Sequence, residues 1–581
     1  MLHLGGYPYC RVSSVTKVTA SRHDGSYHNV LVTPSRTDAP GTAALGGGWR
    51  RRVPRLSSAA DRHLAGPAVV LLICLVFCWK LVLTHDYTWV DDPDMIHMDV
   101  PRFQFQATAW HHAAFPLWDP RLWCGQPFLG EIVGAAFPLN WPFFLLPLDA
   151  HGHVSLDILN WYFLVLHCLG ALFTYWLCRE LGPSRLAAIA GGIAYSFCGF
   201  LGVTHWPEVL GGLILAPLVL LFQVRAMRGR RPFGSAALCG VFLGLAWLSG
   251  HHEVPTWLTL TVAALWMCHL FWRRFEWRRI IALAALSFAL MILTSGFQTL
   301  PGYEYGKLAV RWVGADHALT WGERVPYSVD EGFSFQPRSL VCIIAPWLGP
   351  NPHGFTGVIV FSLALVALVS GWSNRWVRTF AAIAMGGLLL ALGGSTPLHG
   401  IIYALIPFVE KSRNTARIIF LFNLGMAVLV AFAIDQLRQT ARFRFIRGVC
   451  RALLAFTALI FALTVIMPML QKGQPDNSLW MAAFMAAVFA ALLYGRRRGA
   501  LDGRAFALLT LGFMIVEVNS FSSHIYLTRD GVRRPDQPAS LLPELTRFED
   551  IAAFLRTQPG PVRVETRAAM GGFNFGDASR I

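Results

Sequence analysis

Long apolar runs constrain this chain more than any other feature it has. Stretches of roughly 17 to 22 apolar residues recur along it, each long enough to cross the hydrocarbon core of a bilayer. Inside a bilayer such a segment must satisfy its own backbone N–H and C=O groups, so it forms a helix. Composition agrees: 55% of the 581 residues are apolar and 14% are charged, whereas a soluble domain carries about 25% charged residues. A soluble enzyme, a fibrous protein and a disordered chain are excluded.

Thirteen membrane spans are expected, at 66–84, 156–177, 186–203, 207–224, 233–249, 255–271, 280–297, 355–371, 377–393, 416–434, 452–469, 478–494 and 505–522. With the N-terminus inside, six connections face the cytoplasm. They carry Arg179 and Arg185, then Arg225, Arg228, Arg230 and Arg231, then Arg273, Arg274, Arg278 and Arg279. Arg375 and Arg378 follow, then Arg438, Arg442, Arg444, Arg447 and Arg451, and finally Arg496, Arg497, Arg498 and Arg504. The opposite connections at 204–206 and 250–254 hold no Lys or Arg, and 470–477 holds only Lys472. Positive charge marks the cytoplasmic side, so the pattern predicts a cytoplasmic N-terminus and an extracytoplasmic C-terminus. The net charge of +16 is thus shared among short loops. No basic groove for nucleic acid remains, and membrane lipids with anionic headgroups become the expected partner.

Residues 1–64 read as a flexible basic cytosolic tail, with Arg50, Arg51, Arg52, Arg55 and Arg62 ahead of the first span. The core is 65–522, with two long outer loops at 85–155 and 298–354. The Pro-rich apolar stretch 136–148 is too short to span and reads as interfacial or re-entrant, and 401–408 reads likewise. Residues 523–581 read as the start of an extracytoplasmic domain, incomplete at Ile581, with a helix over 544–556 and a strand over 562–566. Cys74, Cys78, Cys168, Cys198, Cys239 and Cys268 lie within apolar runs, as small buried hydrophobes rather than a disulfide frame.

Chemistry is sought on the outer side. The first loop opens with Asp91, Asp92, Asp94 and Asp99, and a carboxylate there is placed to take a proton from a hydroxyl or to hold a divalent ion against a phosphate. Asp99 precedes a helix-like stretch from Phe103 to His112, which makes it the most rigid of these, and Glu131 is the second carboxylate candidate. Asp119 before Pro120 reads as a turn cap. His205 and Glu208 head span four, and His251, His252 and Glu253 head span six. With Asp99, His205 and Glu208 are candidate metal ligands, although the spacing matches no known zinc pattern and polar anchoring at the interface explains them as well. Glu304, Lys307 and Arg311 would share a face if helical. Arg413 and Arg417 stand four apart on the side where arginine is disfavoured. A phosphate held by guanidinium groups accounts for them; an ion pair with Glu410 or another loop carboxylate is the alternative.

The outer loops resemble those of the YfhO-like family of bacterial multi-pass membrane proteins, grouped with the GT-C class of membrane glycosyltransferases. The likeness is carried by Pro116-Leu117-Trp118-Asp119-Pro120, Gly125-Gln126-Pro127-Phe128 and Phe137-Pro138-Leu139-Asn140, with Asp119 where the family has Asn and Phe137 where it has Tyr. Leu392-Gly393-Gly394-Ser395-Thr396-Pro397-Leu398 and Arg413-Asn414-Thr415-Ala416-Arg417 extend it, with Thr415 where the family has Pro. The resemblance implies an all-α polytopic protein with a GT-C-like core, about thirteen transmembrane helices and interfacial helices in the first outer loop. It implies a bacterial cytoplasmic-membrane protein that transfers a sugar from a polyprenyl-phosphate donor to a cell-envelope acceptor. Asp99 would then be the catalytic base or metal anchor, and Arg413 and Arg417 would grip the donor phosphate; Glu131 as a second catalytic carboxylate, and Arg311 and Lys307 as further donor-phosphate residues, are candidates read from the residues themselves. A divalent cation, magnesium or manganese, would be the cofactor, at Asp99, His205 and Glu208.

Two other readings stand beside this one. A transporter or flippase of a lipid-linked envelope precursor would use polar groups deep in the spans, of which Asp157, Asn423 and Glu517 are the deepest. A non-catalytic envelope assembly protein would use its C-terminal outer segment.

Overall fold

The computed structural model describes residues 59–581 apart from 123, 132, 441–444, 472–476, 523–525, 530–538, 560–563, 565–575, 578–579 and 581. Most of the tail expected over 1–64 and the strand expected over 562–566 lie outside the described residues. The chain is a mostly helical polytopic membrane protein. Helix α1 (Ala59–Phe77) is followed by the short α2 (Trp79–Leu83). The first long loop holds strand β1 (Tyr87–Thr88), a π-helical turn at Met95–Asp99, α3 (Val100–His111) and α4 (Trp141–Phe144). Then come α5 (Leu156–Leu181), α6 (Arg185–Phe197), α7 (Gly199–Val203), α8 (Pro207–Met227), α9 (Pro232–Leu248), α10 (Glu253–Trp272) and α11 (Trp277–Leu308). The second long loop carries α12 (Tyr327–Gly332). The rest of the bundle is α13 (Val358–Gly371), α14 (Arg375–Ala391), α15 (Pro397–Leu405), α16 (Ile419–Gln439), α17 (Ile446–Gln471), α18 (Asn477–Arg498) and α19 (Gly503–Ser522). Strand β2 (Leu527–Thr528) and α20 (Glu549–Arg556) follow.

Every expected span falls largely on helix, but by length and composition the described helices support fewer full crossings than thirteen. Eight helices among the described residues are long and apolar enough to cross a membrane, and three more apolar helices, Leu64–Phe77, Pro232–Leu248 and Val358–Gly371, are shorter. The expected span 186–203 is broken where Cys198 turns extended and Gly199 takes φ 55°. Helix α14 opens with Arg375 and Arg378, so one face of it is polar.

Local chemistry sets the helix ends. Ser155 Oγ accepts from Asp157 N at 3.1 Å to start α5, and Gly182 at φ 126° ends it. Asn374 Oδ1 accepts from Trp376 N at 2.9 Å to start α14. Helices α16 and α8 are central, with 94% and 89% of their apolar windows buried, while α11 and α17 are peripheral at 22% each. Close helix contact relies on small residues. A Cβ on Gly240 of α9 would lie 2.1 Å from the carbonyl oxygen of Ser287 on α11, and one on Gly244 would lie 2.6 Å from Thr294 Cβ.

The loops are packed structures. Phe137 and Phe144 are buried, and the Phe144 ring meets that of Phe103 on α3 at 5.1 Å, so 136–148 folds into the protein instead of lying wholly on the membrane. Helix α11 runs past the expected end of span seven to Leu308, because its polar end is covered by the first loop. Gln298 Nε2 donates to the Glu131 carbonyl at 3.0 Å, and Tyr305 lies 3.3 Å from Gln126 Oε1. Strands β1 and β2 pair antiparallel, a small exception to an all-α fold, and Asp91 accepts from Ser540 Oγ at 2.7 Å and Leu541 N at 2.8 Å. The described part of the C-terminal segment therefore packs on the first loop. Its expected helix over 544–556 is a 3₁₀ turn, Leu542–Leu545, followed by α20.

Candidate functional site

Asp99 ends the π-helical turn that runs into α3, where it is 6% exposed. One turn on, Arg102 sets Nη1 3.9 Å from Asp99 Oδ1 and Nη2 3.3 Å from Glu131 Oε2. The two carboxylate candidates therefore share one guanidinium. Burial pushes the Asp99 carboxyl well above the usual range; the Glu208 carboxylate adds to this, Arg102 opposes it, and Asp94 and Asp92 push the same way. Burial also raises Glu131, against the pull of Arg102.

The head of α8 joins this group to the arginines. Asp92 Oδ1 lies 3.2 Å from His205 Nε2, and Asp94 Oδ2 accepts from Trp206 Nε1 at 3.2 Å. The Arg417 guanidinium lies 5.1 Å from the Trp206 ring, within cation–π range. Glu208 interacts electrostatically with Arg102 on one side and Arg417 on the other. Asp99 and Arg417 thus belong to one continuous cluster where the first loop meets α8.

Arg417 Nη1 donates to Glu253 Oε2 at 2.9 Å and lies 2.6 Å from His251 Nε2. The other Glu253 oxygen accepts from Ser412 Oγ at 3.3 Å, Arg413 N at 3.3 Å and Asn414 N at 3.0 Å. The ion-pair alternative for Arg417 thus holds, with Glu253 rather than Glu410 as the partner. Burial keeps His251 well below the usual imidazole range and His252 down at about 4, so both are neutral at pH 7. Arg413 places its guanidinium 4.7 Å from the Phe333 ring.

Arg311 does not share a helical face with Glu304 and Lys307, because α11 stops at Leu308 and Arg311 bridges to Leu319. It turns inward instead. Arg311 Nη1 donates to the Lys411 carbonyl at 2.7 Å, and the group interacts electrostatically with Glu253, Arg413, Arg417 and Asp330. Lys307 stays exposed with Nζ 4.1 Å from the Tyr303 ring. Asp330, 1% exposed with both oxygens unpartnered, is pushed from 3.8 to about 8 by burial first and Glu253 second, against Arg311. It is therefore mostly uncharged at pH 7, and Arg311, Arg413 and Arg417 gather around Glu253, with Glu208 a further carboxyl beside Arg417. Guanidinium groups so gathered are the side chains that bind oxyanions as planar forks.

Among the described residues no three His, Cys, Asp or Glu side chains are grouped to hold a metal ion. His205 faces Asp92 while Asp99 faces Arg102, so Asp99, His205 and Glu208 do not form one ligand set. The deep polar groups of the spans have structural partners. Glu517 accepts from Val358 N at 2.6 Å and Ile359 N at 3.1 Å, Asn423 Nδ2 donates to the His353 carbonyl at 2.9 Å, and Asp157 pairs with Arg529 at 2.6 Å. Asp119 caps its turn, as expected, by accepting from Arg121 N at 2.9 Å.

Sequence reading missed Arg102, although its i,i+3 spacing from Asp99 was the available signal. It also missed Asp330, which carries no local signature.

No family model matches the chain, so none stands behind the YfhO-like resemblance, and no curated protein matches it. Solved structures that align with it include ArnT from Cupriavidus metallidurans in the apo state, at 15% identity and TM-score 0.43 over 90% of this chain and 85% of that one. The archaeal oligosaccharyltransferase AglB from Archaeoglobus fulgidus, in complex with an inhibitory peptide and a dolichol-phosphate, aligns at 13% identity and TM-score 0.47 over 90% of this chain and 64% of that one. The arabinosyltransferase EmbB from Mycobacterium smegmatis aligns at 14% identity and TM-score 0.40 over 87% and 44%. The chain spans less than two thirds of the length of the last two. Similarities of this size assign the chain neither a family nor an activity.

Proposed function

We propose that this protein is a GT-C-type membrane glycosyltransferase, which transfers a sugar from a polyprenyl-phosphate donor to an envelope acceptor at the loop end of the bundle. The observation that supports the reading is geometric: buried Asp99, beside Arg102, and Arg417 lie on two sides of the head of α8, where Asp94 accepts from Trp206 Nε1 and the Trp206 ring meets the Arg417 guanidinium. In its ionised form Asp99 takes the proton from the acceptor hydroxyl. The freed oxygen bonds to the anomeric carbon as the bond from that carbon to the donor phosphate breaks. The phosphate leaves with the electron pair, and Arg311, Arg413 and Arg417 meet its charge. A single displacement of this kind inverts the anomeric centre. Glu131 acts through Arg102 as a positioning residue. No step is routed through a divalent cation.

The test is sugar transfer in membranes from polyprenyl-phosphate donors, comparing the parent protein with Asp99→Asn. Loss of a general base costs about 10²- to 10⁴-fold in rate, and a fall of that size is expected. Equal rates would remove Asp99 from the mechanism. A parent protein that transfers no sugar but translocates a lipid-linked precursor would replace the enzyme with a transporter.

A further inference from the structure

At the arginine-rich end of the bundle, opposite the site described above, α5, α8 and α9 frame a groove of about 470 Å³. Phe173 and Trp176 of α5, Leu218, Leu221 and Phe222 of α8 and Phe242 of α9 line it, and Arg225 closes one end. The walls are two aromatic stacks, Phe173 on Trp176 at 5.9 Å and Phe222 on Phe242 at 5.3 Å. Trp176 is 40% exposed, so the groove opens outward from the bundle. From Leu218 to Arg225 is two helical turns, about 10 Å, enough to seat part of one acyl chain.

The charge at the closed end is unbalanced. Glu180, buried at the end of α5, receives Arg225 at 3.0 Å, Arg228 at 3.3 Å and Arg230 at 3.0 Å. One carboxylate thus faces three guanidinium groups. Arg225 uses its Nε for Glu180, keeps its side chain 39% exposed and lies 5.4 Å from the Phe222 ring at the head of the groove. A greasy slot between helices, with surplus guanidinium charge at its arginine-rich end, is complementary to a lipid with a net negative headgroup.

We propose that this groove is a binding site for one anionic glycerophospholipid, with an acyl chain along α8 between the two aromatic stacks and its phosphodiester on Arg225. The site is separate from the proposed reaction centre and does not depend on it.

The test is native mass spectrometry of the full chain in detergent, titrated in turn with phosphatidylglycerol, phosphatidylcholine and a polyprenyl phosphate. One phosphatidylglycerol is retained in preference to the other two. Arg225→Gln weakens that retention about tenfold, the scale of one charge-assisted hydrogen bond. Trp176→Ala weakens it as well, and because Trp176 is an exposed wall its loss leaves the bundle folded, which the lipid-free melting temperature verifies. Equal retention of phosphatidylglycerol and phosphatidylcholine would overturn the proposal, as would unchanged retention in a folded Arg225→Gln protein. Preferential retention of the polyprenyl phosphate would give the groove to a different lipid and overturn it too.

Discussion

Arg417 donates to Glu253 at 2.9 Å across 164 residues of chain, and this contact ties the turn before α16 to the head of α10. Glu253 is 2% exposed and Arg417 15% exposed at the side chain, so the pair is almost out of water. Removing one partner from such a pair costs about 3–5 kcal/mol, since the other charge stays buried. Arg417→Gln and Glu253→Gln each lower unfolding stability on that scale, and the double variant loses less than the two losses added together. Additive losses in a denaturant-unfolding cycle would show that the two side chains are not coupled.

Arg413 should behave differently. Its side chain lies on Phe333, and its backbone N–H is the atom that reaches Glu253. Arg413→Gln therefore leaves stability within about 0.5 kcal/mol. Under the proposed function it raises the KM for a polyprenyl-phosphate donor about tenfold or more, and Arg413→Lys restores only part of the loss, because an ammonium cannot bind two phosphate oxygens as a planar fork does. An unchanged KM would take Arg413 out of the donor site.

Asp330 makes stability depend on pH. Its carboxyl titrates near 3.8 in the unfolded chain and at about 8 in the folded one. Below about pH 4 both states hold the proton and Asp330 has no effect. Between about pH 4 and pH 8 only the folded state holds it, so folding takes up a proton and stability falls as pH rises. The fall is complete above the folded value. Asp330→Asn has no proton to hold, so its advantage over the parent widens across this window. Melting temperatures in detergent from pH 4.5 to 8.5 measure it, and parallel profiles for the two proteins would refute it.

Gly240 sets the distance between α9 and α11. A methyl there meets the Ser287 carbonyl at 2.1 Å, and backbone oxygen cannot swing aside as a side chain can. Gly240→Ala costs about 1–3 kcal/mol, the range for overpacking a tight interface, and Gly240→Leu costs more. An exposed control is Gly512, where an added Cβ meets nothing within 4 Å. Its Ala variant should match the parent, and equal losses at both positions would dissociate the effect from helix contact.

Helix positions were legible because apolar length is written along one dimension. The number of full-length spans was less so, because Cys198 and Gly199 break α6 from α7 through backbone angles that an apolar run does not reveal. Asp99 is a candidate in the sequence because of its place beyond the first span. Its neighbour Arg102 was not, because the role of Arg102 depends on Glu131 folding back to meet it. Arg311 was assigned to a helix that stops three residues earlier, at Leu308, and it reaches the cluster by leaving that helix. Glu253 was legible as a polar group at a helix head, but its partner is set by tertiary packing alone.

The hydrogen bonds from Ser540 and Leu541 to Asp91 have a consequence for how the protein is made. The partners are 449 and 450 residues apart. At ribosomal speeds of about 5–20 residues per second, Asp91 waits about 20 to 90 s for them. During that interval the acidic loop has left the ribosome while the segment that fastens it does not yet exist. The loop that bears Asp91 and Asp99 can therefore reach the arrangement seen here only after Ser540 and Leu541 have been synthesised, so its fastening is a late, post-insertion step.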